Sequence, residues 1–96
     1  MLEKTEYQFN IISKVKSLRE ENHLTQTKVC EMLGISKGQL GNIESSKYPH
    51  KYTLKQLFTL CQAVNYPIAK LFLTEEQLTS DELVDLLVKQ IVLYEN

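Results

Sequence analysis

Gly34 separates two short apolar helical patterns, and that bend constrains the fold more than any other feature of the chain. Upstream, QTKVCEML carries Val29 and Leu33 behind a Thr25 cap; downstream, SKGQLGNIE carries Leu40 and Ile43. Two short helices joined by so brief a turn must cross steeply. That geometry asks for a backbone position with positive φ, which glycine adopts without a Cβ clash. Ile35 in the turn joins Val29, Leu33, Leu40 and Ile43 to fix the crossing, and the small Cys30 lies where the two helices approach closely. A paired-helix unit from Gln26 to Glu44 is the expected centre of the molecule.

The remainder reads as helix as well. Only two prolines and three glycines interrupt it, and apolar residues recur at three- and four-residue intervals. Six helices are expected. Thr5 and Gln8 have capping-box spacing ahead of Ile11, Ile12, Val15 and Leu18, with Asn22 as the stop. Thr25 opens the second helix and Ser36 the third, which runs to Ser45. Thr53 and Gln56 form another box before Leu54, Leu57, Phe58, Cys61 and Val64, closed by Asn65. Pro67 suits the first position of a short helix ending near Phe72. Thr79 and Glu82, again at box spacing, are expected to open a last helix to about Tyr94. Its apolar residues cover well over half the circumference and leave a polar wedge at Asp81, Asp85 and Lys89, whereas docking on one small domain needs a stripe about 100° wide. A second copy of the chain is the expected neighbour, with Leu83, Leu87, Ile91 and Tyr94 as the dimerisation residues. The alternatives are a well-buried sixth helix or a membrane-surface helix, the latter opposed by the acidic polar face.

A chain of 96 residues, 43% apolar and 24% charged, fits one folded unit and leaves little room for a separate effector-sensing domain. The division expected is a core over residues 1–73 and a helical extension over 74–96. Cys30 and Cys61 have neither zinc-site spacing nor the density of a disulfide scaffold, so they read as buried core thiols rather than a redox pair. The N-terminal MLEKTEYQFN has no apolar core of signal-peptide length, and a cytoplasmic location is expected. The formal charge of −1 hides an asymmetry: residues 1–72 hold ten of the eleven Lys and Arg against six acids, while residues 73–96 hold Lys89 against six. The first part is the one suited to a polyanion.

With these residues in view, the sequence resembles the phage repressor and Cro-like regulators, also called the xenobiotic-response-element family. The likeness covers about Ile11 to Phe72. It includes Leu24-Thr25-Gln26, the LGIS turn at Leu33 to Ser36, Ile43-Glu44, and the later helix ending at Leu71-Phe72. It implies an all-α fold, a five-helix repressor-like domain to which this chain adds a C-terminal helix. It also implies a dimer on double-stranded DNA with the third helix in the major groove. With Leu40 and Ile43 inward, Gly38, Gly41, Asn42 and Ser45 turn outward, with Lys37 and Gln39 on the flanks. Lys37, Gly38 and Asn42 match the family's base-reading positions; Lys37 suits guanine, and Asn42 or Gln39 suits adenine. Two glycines in one short helix cost about 1 kcal/mol each relative to alanine, which points to close approach to the groove floor or to plain tolerance. Phosphate contacts are expected from Gln26, Lys47, His50 and Lys51, with Lys16 and Lys28 as further candidates. Arg19 and Glu44 fall on inward edges and are expected to form a structural ion pair, as the family likeness also implies.

Other functions fit the same chain. An antitoxin would bind its own promoter and sequester a toxin through a loose apolar tail. A protein-interaction module without DNA binding would suit the weak net charge and the glycines. An enzyme is not expected, because His23 and His50 lack catalytic or metal-ligand spacing with the acids. No cofactor and no metal are expected.

Overall fold

The computed structural model of the chain describes residues 3–96, among which there are helices and no strand. In chain order these are α1 (Glu6–Glu21), α2 (Gln26–Leu33), α3 (Lys37–Glu44), α4 (Leu54–Ala63), α5 (Ala69–Phe72), α6 (Glu75–Leu78) and α7 (Leu83–Glu95). None of them is long and apolar enough to cross a membrane.

One sequence device starts most of these helices. At Thr5–Gln8, Ser36–Gln39, Thr53–Gln56 and Thr74–Gln77 the hydroxyl accepts from the backbone N–H three residues on, while the glutamine side chain accepts from the cap's own N–H. Two orphan donors are thereby satisfied at each start. Thr25 supplies half of the device, accepting from Lys28 N–H at 3.1 Å. The Thr74 box produces α6, a helix not expected from the periodicity, and it overturns the expected box at Thr79 and Glu82. Thr79 instead ends α6, its hydroxyl donating to the Glu76 carbonyl at 3.0 Å. Helix α7 therefore begins after Glu82 with no side-chain cap. The helix expected from Pro67 likewise starts later, at Ala69, with the Pro67 carbonyl accepting from Lys70 N–H.

Left-handed residues make the sharp corners. His23 (φ 59) follows α1, Gly34 (φ 67) follows α2 and Asn65 (φ 54) follows α4. Each lets the chain reverse while its N–H pays back an orphan carbonyl of the helix it leaves.

A single apolar cluster fills the space between the helices. Val29 of α2, Leu40 of α3, Leu57 of α4, Leu71 of α5 and Tyr94 of α7 are all fully buried in it, alongside Ile11, Ile12 and Val15 of α1. The cluster takes in residues on both sides of position 73. Leu83, Leu87, Ile91 and Tyr94, expected on a face between two copies, belong instead to the inner face of α7: the first three are partly covered by the core and Tyr94 completely. The exposed apolar residues of α7 are Val84, Val88, Val92 and Leu93. An apolar circumference this wide did not say which side the core would take; Tyr94 did, because its hydroxyl reaches the Tyr52 carbonyl at 2.8 Å and its ring stacks edge-on with Phe72.

Candidate nucleic-acid interface

Helices α2 and α3 meet at Gly34, whose left-handed backbone (φ 67, ψ 36) lets its N–H return to the Cys30 carbonyl. Ile35 N–H shares that carbonyl at 3.1 Å, so the turn is closed twice at its entrance. From there α3 is pinned by Leu40, fully buried, and Ile43, 6% exposed. The opposite side is presented to solvent: Lys37, Gly38, Gln39 and Gly41 are exposed and Asn42 is half-buried. Lys37 occupies the first position of the helix, where the macrodipole is positive and a cation is disfavoured by about 0.3–1 kcal/mol. A residue placed against its own helix field in this way is well placed to meet an external negative group.

Glu44, at the far end of α3, is tied to the two helices before it. Arg19 donates to both of its oxygens, Nε to Oε2 at 2.8 Å and Nη2 to Oε1 at 3.0 Å, with only 10% and 6% of the two side chains exposed. Gln26 Nε2 adds a third bond to Oε1 at 3.0 Å, and Arg19 Nη1 also donates to the Leu24 carbonyl. Burial alone would push the Glu44 carboxyl up. The bonds from Arg19 and Gln26, with the charges of Arg19 and Lys16, hold it below its usual range. Arg19 is shifted up, first by its bond to Glu44. This network fixes α1, the start of α2 and the end of α3 as one body.

The Helix-turn-helix family model matches residues 15–71, which takes in the end of α1 with Arg19, the bend between α2 and α3, Glu44, all of α4 and most of α5. The chain belongs to the helix-turn-helix family. A curated relative, the "ImmF control region 10 kDa protein" of Bacillus phage phi105, is 34% identical over 68 residues, covering 70% of this chain and 72% of the relative. No solved structure matches. Together these place the chain among the phage repressor and Cro-like regulators, DNA-binding transcriptional regulators built as all-α domains.

In this helix-turn-helix protein the residues expected to read bases share the open side of α3, with different degrees of freedom. Lys37 projects from the first turn, exposed, and among the described residues nothing accepts from its ammonium. Gln39 is committed in part: its Oε1 accepts from Ser36 N–H at 2.8 Å, so only its amide donors face outward. A Cβ placed on Gly41 would meet nothing within 4 Å, and one on Gly38 only Ser36 Oγ at 3.8 Å. The protein's own packing therefore requires neither glycine.

The residues expected at phosphates separate into two groups. Lys47 and His50 lie exposed on the loop after α3, with Tyr48 edge-on to His50. Lys51 does not join them. Its ammonium donates to the Tyr94 and Glu95 carbonyls at 3.2 and 2.8 Å and lies 5.6 Å from the Tyr94 ring centroid, which places a cation at the negative end of α7. Gln26 is exposed but bonded to Glu44. The sequence also concealed a contributor: Lys4 donates to the carbonyls of Asn42, Ser45 and Tyr48, closing the C-terminal end of α3 and the loop beyond it. Burial lowers its pKa. Its partners are all backbone atoms, which leave no mark in residue identity; the one legible hint was a lysine ahead of the Thr5 cap. Among the described residues no three His, Cys, Asp or Glu are grouped to hold a metal ion.

Proposed function

We infer that this chain is a repressor-type transcriptional regulator that seats α3 in the major groove of double-stranded DNA and acts as a dimer on a two-fold operator. The observation that carries this reading is the division of α3 into a buried side, Leu40 and Ile43, and an outward side on which Lys37, Gly38, Gln39 and Gly41 are exposed and Asn42 is half-buried. Lys37 donates to guanine O6 and N7, and Asn42 makes the paired bonds that select adenine. Gln39 contributes its amide donors. The bare backbone at Gly38 and Gly41 brings the helix close to the groove floor.

Phosphates are met by Lys47 and His50 on the loop and by the N-terminus of α2. There the Thr25 hydroxyl takes the Lys28 N–H, and the first-turn N–H groups of Gln26 and Thr27, which no helix can pair internally, are the donors a phosphate would meet. The Gln26 amide, held by Glu44, is aimed rather than free. The relative is named for a phage control region, which supports a regulatory role here, and such a role belongs in the cytoplasm. The docking of α7 onto the core favours a structural or self-associating helix over the loose tail of a toxin-sequestering antitoxin.

Binding to duplex DNA followed by fluorescence anisotropy tests the reading. Lys37→Ala and Asn42→Ala are expected to keep the wild-type helical content while losing preference for the selected sequence, by about 1–3 kcal/mol per base-reading residue. Full preference in both variants would overturn it.

A further inference from the structure

Helix α7 carries more apolar surface than its own chain covers. Val84 is 72% exposed, Val88 53% and Val92 51%. Spaced by four, they form one continuous ridge of the kind that packs helix against helix. Beside the ridge run Asp85 and Lys89, both exposed. Among the described residues the chain's ion pairing is that of Arg19 with Glu44, so Asp85 and Lys89 are not bridged within one copy.

We propose that this ridge is the contact between two copies of the chain, paired antiparallel about a two-fold axis at Val88. The purpose rests on the DNA-reading proposal, since a two-fold operator calls for a two-fold protein; the contact itself rests on the helix. The axis sets Val88 against the partner's Val88 and Val84 against the partner's Val92. It also keeps the Asp85–Lys89 edge of both helices on the same side. At a rise of about 1.5 Å per residue, Asp85 and the partner's Lys89 then fall within about 3 Å of each other along the helix direction, and the symmetric pair forms on the other half. A parallel pairing sets that edge beside the partner's Leu87 and Ile91 and forms neither bridge, with Lys89 and the partner's Glu95 about 9 Å apart along the helix direction.

The antiparallel arrangement leaves one repulsive contact at each end, Glu95 near the partner's Asp81, where solvent and salt screen it. Exposed ion pairs contribute direction more than affinity. Three valines a side make a small contact, so the dimer is concentration-dependent in solution and reinforced when both copies engage DNA.

Cross-linking decides the register, and the natural cysteines do not interfere because Cys30 and Cys61 are buried. Under mild oxidation Val88→Cys is expected to give a covalent dimer. Val84→Cys and Val92→Cys each stay uncoupled alone but link when mixed. Self-linking of all three to equal extents would mean a parallel pair and overturn the proposal. Sedimentation of the full chain is expected to show dimer formation that Val88→Lys and Val92→Lys abolish without changing helical content. A wild type that stays monomeric at every concentration and on a two-half-site duplex would also overturn it, as would a dimer unaffected by both lysine variants. The lysine variants are expected to bind a single half-site as wild type does. A monomeric wild type that still binds one half-site would sink the pairing and leave the reading of DNA by α3 standing.

Discussion

Arg19 is the residue whose loss the fold is expected to feel most. Replacing it with alanine strands a Glu44 carboxylate that is almost covered, and breaking a buried pair in this way costs about 3–5 kcal/mol; urea unfolding of Arg19→Ala measures it. The same bridge sets an acid limit. Glu44 binds a proton less readily folded than unfolded. Its stabilisation is therefore complete above the unfolded value of about 4.3 and declines as the pH falls to and through the lower folded value. Glu44→Gln is expected to flatten that part of the stability profile. Gly41→Ala divides two readings at one position: with open space for the new Cβ, it should stabilise the chain by about 1 kcal/mol. If α3 approaches the groove floor there, the same variant weakens operator binding; unchanged affinity would assign the glycine to tolerance. The approach of Arg19 to Glu44 was legible from the inward edges of two helical patterns. The diversion of Lys51 was not, because its partners are the carbonyls at the end of a helix 43 residues away.

The elements were legible where a side chain announces a helix start and obscure where two candidates compete. Thr5, Thr25 and Thr53 each precede an apolar pattern with no rival, and their helices begin where expected. Between residues 74 and 82 there are two hydroxyl-to-acid-or-amide spacings within one stretch, and Thr74 with Gln77 closed the box while Thr79 with Glu82 did not. Helix α7 depends at its far end on contacts from outside itself. Lys51 donates to its last carbonyls, Gln8 Nε2 to the Tyr94 carbonyl at 2.7 Å, and the Tyr94 hydroxyl to Tyr52. Tyr94→Phe is expected to cost about 0.5–1.5 kcal/mol and to raise hydrogen exchange in α7 and in the 46–52 loop together. Exchange confined to α7 would show that helix and loop are not linked.

Across the whole molecule, the surplus of positive charge before residue 73 is spent unevenly. Lys4, Lys14 and Lys51 are tied to backbone carbonyls of their own chain, while Lys37, Lys47 and His50 remain open on α3 and its following loop. Binding is therefore expected to weaken with salt at a slope set by few contacts, since each neutralised phosphate adds about 0.9 to the logarithmic slope. Charge-neutralising substitution of Lys47 should lower that slope by about one contact without altering sequence preference. Whether the outward side of α3 reads base pairs is decided by selecting duplexes from a random pool with the wild type and Asn42→Ala side by side. Wild type is predicted to enrich an inverted repeat with half-site centres about 34 Å apart, and Asn42→Ala to relax one base pair in each half-site. An identical enriched sequence from both proteins, or none from either, would contradict it.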